Sequence, residues 1–454
     1  MLEFDDLKKL LSDPDSLSTD LSDLGDYFHD ATEYSAPPLA VLMARNRDDV
    51  TAAVKFCAER NIPITARGAG TGLSGGCVPS KGAMVLSTEH LRKLQIDPEA
   101  KTAICGPGVI TKELTDTAEE HGLTYPPDPA SYEESTLGGN VAENAGGLRC
   151  KRFGVTKDYV IGLEAVLADG SVLRTGTLGS GAGFSLGDLL IASEGTLAVI
   201  TEIAVRLVSP SPPGTTILAS FSSPRDAAQT VSDITTAGII PTVMEFLDGD
   251  AAACSNEYEK TEGLSDAAAI LLIETGDGEL GVQASKIRDF CEKNSCRLLR
   301  IEPDHQKAEA LWMVRRNLSK ATKELARYWV SEDLAVPNSR FPELVDYVAQ
   351  LNAESPVRLN SYGHAGDGNL HVNFLAPSDS PKIVAEIERV IDLLVDRALA
   401  LNGTLSGEHG IGLAKKMYLD REFDRPTLAV MRKIKSVFDP QGILNPDKLL
   451  PDPE

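Results

Sequence analysis

Between Asn369 and Phe374 the chain alternates strictly, with Asn369, His371 and Asn373 on one side and Leu370, Val372 and Phe374 on the other. Such a strand gives one face to the core and offers only coordinating or hydrogen-bonding groups on the other. The preceding His364-Ala-Gly-Asp-Gly reads as a tight turn, so His364 and His371 can approach across a hairpin or neighbouring strands. Glu408 and His409 lie in a second glycine-flanked loop, Ser-Gly-Glu-His-Gly-Ile-Gly. Two imidazoles and a carboxylate form a common open-sided divalent metal site that leaves positions for a substrate. Equally, each histidine could be a half-buried residue satisfied by hydrogen bonds. With Glu408 on a metal, His409 would be available as a base near neutral pH. Arg315 and Arg316 sit in a helical stretch, Trp312 to Leu318. Most such pairs are solvated faces, but one guanidinium aimed at the site could clamp a carboxylate in bidentate fashion.

A different chemistry is written into Ala66 to Gly76, Ala-Arg-Gly-Ala-Gly-Thr-Gly-Leu-Ser-Gly-Gly. The glycines allow positive φ and bare consecutive amides, a concave nest that suits a pyrophosphate, and Arg67 adds positive charge beside it. Gly70-x-Gly72-x-x-Gly75 matches the dinucleotide fingerprint in letters, but no helix follows it, and the Lys-Ser/Thr of a nucleotide-triphosphatase loop is missing. The order is strand, loop, strand. A mobile turn is the competing reading.

The elements that must carry these groups fall into two rhythms. Helix 48–60, strand 62–65, strand 83–87, strand 103–105 and helix 112–121 precede an irregular stretch, Pro126 to Gly147, too long for an ordinary connection. Ile161 to Thr175 reads as a hairpin around Asp169-Gly170, followed by a β-rich run from Leu197 to Val208. Ser209 to Pro213, Ser-Pro-Ser-Pro-Pro, marks the domain boundary. Beyond it strands 216–221, 243–247, 268–274 and 297–301 alternate with helices after Pro224, over 278–294 and over 304–326, predicting an antiparallel sheet with helices on one face. Helix 427–438 closes the chain. The expected domains are an acidic, solvated arm with a short helix (1–33), a cofactor domain (34–212), a substrate and metal domain (213–425) and a returning tail (426–454).

The chain has 454 residues and a formal net charge of −23, which disfavours nucleic acid and anionic lipid as partners. It has no apolar run near the roughly 20 residues that span a bilayer and no basic, apolar leader, so a cytoplasmic place is expected, at most peripheral to the inner face of the membrane. The 7 cysteines are scattered without a Cys-x-x-Cys, which argues against an iron–sulfur ligand set and places any one-electron relay on a partner.

Taken together, the glycine loop, the stretch 127–147 with Gly-Gly-Asn-Val-Ala-Glu-Asn-Ala-Gly-Gly, Phe153-Gly-x-Thr-x-Asp158 and Glu194-Gly-Thr-Leu-x-Val-Ile-Thr201 resemble the FAD-linked oxidases of the vanillyl-alcohol oxidase and para-cresol methylhydroxylase superfamily. His364-x-Gly-Asp-Gly-Asn-Leu-His371 and Gly407-Glu-His-Gly-x-Gly412 are similar to its D-2-hydroxy-acid dehydrogenase branch of D-lactate dehydrogenases, the glycolate oxidase flavin subunit and D-2-hydroxyglutarate dehydrogenase. The match runs in order over about residues 35 to 450. The resemblance implies an α+β fold: a two-subdomain FAD-binding domain of the para-cresol methylhydroxylase type, then an α+β substrate-binding domain with an antiparallel sheet. It implies that Arg67, Gly68, Ala69, Gly70, Thr71, Gly72, Leu73, Ser74 and Gly75 cradle the FAD pyrophosphate. Pro127, Asp128, Ser131, Gly138, Gly139, Asn140, Asn144, Glu194, Ile200 and Asn445 would line the rest of the cofactor.

In the same family pattern His364, His371 and Glu408 match the ligands of a divalent metal (zinc, manganese or iron), Arg315 and Asn373 match substrate-contacting positions, and His409 matches the proposed base. The glycine loop lacks the histidine that tethers flavin covalently in some members, so the FAD is expected to be dissociable. Ala198 stands where glycine is usual, a mild departure. At Ser331 the hydroxyglutarate enzymes carry a lysine, which shifts the expected substrate towards D-lactate or glycolate. The implied activity is oxidation of a small D-2-hydroxy acid to the 2-keto acid, with electrons leaving to an electron-transfer flavoprotein, an iron–sulfur subunit or a quinone. A homo-oligomer or a subunit of a complex is expected. The alternatives are D-2-hydroxyglutarate dehydrogenase, a non-redox flavoenzyme of the same superfamily, and a metal-dependent hydrolase.

Overall fold

The computed structural model describes residues 4–179, 183–212, 214–258, 267–276 and 280–452. It divides into two compact units: one of residues 1–147, 154–210 and 408–454, the other of 148–153 and 211–407.

The first unit holds two sheets. Strands β1 (Leu17–Ser18), β2 (Ala40–Met43), β3 (Ile64–Arg67) and β4 (Met84–Ser87) form a sheet in the order β1-β2-β4-β3, with β2, β4 and β3 parallel. Helix Arg47–Arg60 packs on it; Asn46 accepts from the Asp49 amide at its start, and Asn61, at φ 51°, ends it in the left-handed region. Because β3 and β4 run the same way, the chain between them has to return across the sheet end. That return is the glycine loop, without a helix, as its composition predicts.

Strands β5 (Leu94–Asp97), β6 (Thr102–Cys105), β7 (Val160–Val166), β8 (Val172–Gly176) and β9 (Val199–Arg206) form an antiparallel sheet in the order β5-β6-β9-β7-β8. The β7–β8 hairpin turns at Asp169-Gly170, where Gly170 takes φ 78°. Helices Thr111–Glu119 and Leu137–Glu143 bury Leu114, Ala118, Leu137 and Val141 against Ala103, Leu163 and Ile203 of this sheet.

Three expectations fail in this unit. The amino-terminal segment, of which residues 1–3 lie outside the described chain, is no solvated leader: Phe4, Leu7, Leu11 and Leu17 are buried among Val50, Phe56 and Leu42. Four apolar side chains outweigh the acidic residues between them. Second, the irregular stretch contains a helix, Leu137–Glu143. Gly138 there is a packing residue, not a breaker, since a Cβ would lie 2.5 Å from Pro107 Cβ. Third, the carboxyl-terminal return begins at residue 408, not 426, because Leu413 and Ala414 donate to the Ser74 carbonyl at 2.8 and 3.1 Å. Asn445 then donates to the Ile64 carbonyl at 2.7 Å.

The second unit is built on a sheet of β10 (Thr216–Phe221), β11 (Val243–Asp248), β12 (Ala269–Glu274), β13 (Leu298–Glu302), β14 (Tyr328–Ala335), β15 (Arg358–Gly363) and β16 (Asn369–Ala376). Its order is β13-β10-β12-β11-β15-β16-β14, and every pairing is antiparallel. Helices cover both faces, not one. Leu218, Leu247 and Leu272 pack with Ala251, Leu311 and Trp312, whereas Phe246, one residue from Leu247 and on the opposite face, meets Phe341 edge-on at 5.7 Å. The near-continuous apolar run Ala269 to Ile273 is the sequence sign of a strand covered twice. The expected helix 304–326 is two, His305–Arg316 and Leu318–Leu325, joined at Asn317. Positions 278 and 279 of the expected helix 278–294 lie outside the described residues; the helix seen is Leu280–Lys293. Among the described residues no helix is long and apolar enough to cross a membrane.

Candidate active site

In the second unit, strand register assembles a polar lattice on one sheet face. His371 of β16 pairs with Asp333 of β14 and Tyr362 of β15, and Asn373 pairs with Ser331 and Asn360. Directly opposed residues of antiparallel strands share a face. His364, just past β15, brings its ring to 5.4 Å from that of His371, nearly perpendicular to it. Both imidazoles are buried.

Each has a carboxylate at Nδ1. Glu245 Oε1 lies 2.8 Å from His364 Nδ1, and Asp333 Oδ1 lies 3.3 Å from His371 Nδ1. Asp333 is itself fixed by Asn369 Nδ2 at 2.6 Å and Ser406 Oγ at 2.9 Å. At His364 the hydrogen-bonded carboxylate fixes the ring orientation and makes Nε2 the better ligand, the arrangement usual behind metal-bound histidine, whereas at His371 Asp333 stands as an ion-pair neighbour. Asn373 donates to Asn360 Oδ1 at 3.1 Å, which leaves its buried Oδ1 without a hydrogen-bond partner. These residues fit a divalent cation and a polar ligand beside it.

Arg315 is buried, unlike its neighbour Arg316, which is exposed and paired with Glu309. Its Nε donates to Glu245 Oε2 at 2.6 Å and its guanidinium stacks 4.9 Å from the centre of the Tyr362 ring. Burial raises the Glu245 carboxyl, but the charges of His364 and Arg315 and their hydrogen bonds outweigh it and hold the group below its ordinary range.

In the first unit, residues 68–73 form a half-buried loop; Gly70 within it and Gly75 just beyond it both take φ 76°. Among the described residues, the amides of Gly68, Ala69, Gly70, Thr71, Gly72, Leu73 and Ser74 donate to no protein acceptor, whereas that of Gly75 is turned to Asp30. A Cβ at Gly68 would overlap Thr136 Oγ1, a buried hydroxyl that has no partner. Bare amides and an unsatisfied hydroxyl at one glycine loop fit a phosphate-bearing cofactor. Arg67 contributes its charge from beneath: its donors go to the carbonyls of His29 at 2.6 Å and Asp26 at 2.7 Å.

The other expected lining residues are held nearby in chain terms but by separate contacts. Gly139 N is 3.7 Å from the Cβ position of Gly68. Asn140 donates to Thr111 Oγ1 at 2.7 Å, and Asn144, at φ 54°, ends its helix and accepts from the Lys157 amide. The Ser131 carbonyl accepts from Glu134 and Ser135 in a turn that follows Pro127 and Asp128. Ile200 is buried in β9. Asn445 spans the Gly76 and Glu194 carbonyls, each at 2.7 Å. Glu194 turns its carboxylate to the amides of Ile411 and Gly412, in the loop that carries Glu408 and His409.

Sequence reasoning missed Glu245 and Asp333. Glu245 had a signal: an acidic residue inside an apolar strand, as in Val-Met-Glu245-Phe-Leu, is kept there by a partner.

With this geometry in place, two family matches fall on the two halves: "FAD binding domain" over residues 38–176 and "FAD linked oxidases, C-terminal domain" over 212–449. The chain belongs to the FAD-linked oxidases. It is 39% identical to the glycolate oxidase subunit GlcD of Bacillus subtilis, over 93% of this chain and 91% of that one. It is 35% identical to a D-lactate dehydrogenase of Archaeoglobus fulgidus, over 92% of each, and 30% identical to a D-2-hydroxyglutarate dehydrogenase of Stutzerimonas stutzeri, over 98% of each. In structure it is similar to p-cresol methylhydroxylase, with a TM-score of 0.80 at 15% identity over 97% of this chain and 95% of that one, which shows a shared fold. The protein is a FAD-binding oxidoreductase of the para-cresol methylhydroxylase fold.

Proposed function

We propose that the chain oxidises a small D-2-hydroxy acid, D-lactate or glycolate, to the 2-keto acid. The observation that carries this reading is the pair His364 and His371, each backed by a buried carboxylate, beside Asn373 and Arg315. Bound FAD supplies the acceptor for the hydride from Cα, and a divalent cation would supply Lewis acidity at the hydroxyl. His364 and His371 would hold that cation, with Glu408, the residue after Gly407, as the third ligand. Arg315, its plane fixed by Glu245, would pair with the substrate carboxylate, and Asn373 would fix its orientation. His409 would accept the hydroxyl proton. The amides of residues 68–74 would cradle the pyrophosphate, with non-covalent attachment.

Ser331 lies directly across from Asn373, so that position offers a hydroxyl and not a cation to a second carboxylate. That favours the short acids over D-2-hydroxyglutarate. Reduced flavin would pass its electrons to an electron-transfer flavoprotein, an iron–sulfur subunit or a quinone. Anaerobic titration with D-lactate, glycolate and D-2-hydroxyglutarate, followed at the flavin absorption band, tests the reading: bleaching by a short acid supports it, and no bleaching by any of the three removes it.

A further inference from the structure

Glu143 closes helix Leu137–Glu143, and its side chain lies between two glycines of distant loops. A Cβ at Gly76 would come to 2.9 Å from Oε1, while one at Gly410 would collide with Oε2 and lie 3.0 Å from Glu194 Oε1. One oxygen of each carboxyl therefore approaches the same point beside Gly410, the residue after His409. Glu143 Oε2 is shut off from solvent and, among the described residues, receives no hydrogen bond.

Glu194 is strained into the left-handed region, at φ 50°. Its carboxylate is spent on the loop, with Oε1 accepting from Ile411 at 2.7 Å and Oε2 from Gly412 at 2.6 Å. Two ionised carboxylates in this position, with only the Ser74 hydroxyl offered to Glu143 among the described residues, would repel in a poorly solvated space. One proton converts that repulsion into a hydrogen bond. The surrounding charges agree: Asp30 adds to the repulsion on Glu143, while Arg67 acts on Asp30 and Lys448 on Glu194. Burial, then Glu194 and Asp30, push Glu143 well above the carboxylate range, whereas the Ile411 and Gly412 amides partly offset the effect of burial on Glu194. Cys77 faces the same cluster as a neutral thiol, pushed up to about 12 by burial.

We propose that Glu143 carries a proton at neutral pH and donates it to Glu194 Oε1, and that this pair is the positioning device for the loop His409–Gly412. Glu143 touches no reacting atom in this account; it acts through the loop. The proposal rests on the reading of His409 as the proton acceptor. Ionising Glu143 would set the two carboxylates against each other and displace the loop, so flavin reduction falls on the alkaline side.

The test uses the full-length holoenzyme and two readouts. In the infrared, the substrate-free protein should show a protonated-carboxyl C=O band at neutral pH that Glu143→Gln removes, whatever the enzyme's substrate. In stopped flow, Glu143→Gln, whose amide can still donate to Glu194, should keep the neutral rate of flavin reduction and lose the alkaline fall, while Glu143→Ala should slow reduction on the order of 10²-fold, the cost of a misplaced catalytic group. A band that survives Glu143→Gln, or the same alkaline fall in that variant, overturns the proposal. Should Glu143→Gln not fold, the wild-type band decides alone: it must vanish over the pH range in which reduction falls. A wild type that no 2-hydroxy acid reduces, yet shows the band, would sink the substrate reading and spare the pair.

Discussion

The carboxylate of Glu245 lies 2.8 Å from His364 Nδ1 with no solvent exposure of its own side chain, and its second oxygen holds Arg315. One buried anion thus sets the orientation of an imidazole and a guanidinium together.

Replacing it should separate folding from metal binding. Glu245→Gln keeps the shape and removes the charge, leaving Arg315 buried without its counter-ion. We expect a loss of about 3–5 kcal/mol in urea unfolding and of roughly 10–100-fold in affinity for added zinc or manganese. FAD content, read from absorbance, should hold.

His409→Ala should retain FAD and lose flavin reduction by roughly 10²–10⁴-fold, the contribution of a positioned base. Full-rate reduction in that variant would remove the base assignment.

Ser331 faces Asn373 across β14 and β16. Ser331→Lys places an ammonium in that row, and a charge-assisted hydrogen bond of about 1.5–3 kcal/mol should move the kcat/KM ratio of D-2-hydroxyglutarate over D-lactate upward by roughly ten- to a hundredfold. An unchanged ratio would show that the site lies elsewhere on the sheet.

Asp248, at the end of β11, is pushed up to about 6 by burial, despite hydrogen bonds from Ala251 and Ser361. Its folded pKa exceeds the unfolded value of about 3.9. Stability from this group is therefore fully present below pH ~4 and is lost as pH rises through ~6, with a slope of at most ~1.4 kcal/mol per pH unit. Chemical denaturation between these limits should show that slope in the difference between the wild type and Asp248→Asn.

Leu7 is fully buried, so Leu7→Ala should cost about 2–5 kcal/mol in the first unit. A change below the error of thermal unfolding would restore the solvated-leader expectation.

Much of the fold was legible because its signals are local. The alternation at Asn369 to Phe374 and the Asp169-Gly170 turn are written in adjacent residues, and both elements form where expected. What stayed hidden depended on partners far away in sequence. Helix Leu137–Glu143 exists because Gly138 packs against Pro107, and Phe4 is buried because Phe56 awaits it at 5.6 Å between ring centres. The histidines were visible as residue types in glycine-bounded loops. Their carboxylate partners, Glu245 and Asp333, come from strands brought together only by the sheet order, which no spacing along the chain reveals.

Neither compact unit is a single run of sequence: the chain leaves the first at residue 148, re-enters at 154, departs again at 211 and comes back at 408. A ribosome that has made only the amino-terminal half has produced a β3 with Ile64 still lacking its neighbour Leu444, and a glycine loop whose Ser74 carbonyl has nothing to accept. If that loop holds the flavin, its capture would await residues 408–454, so products that stop before them should emerge colourless, and dissecting the gene at the proline-rich boundary should yield fragments that recover flavin only when co-expressed.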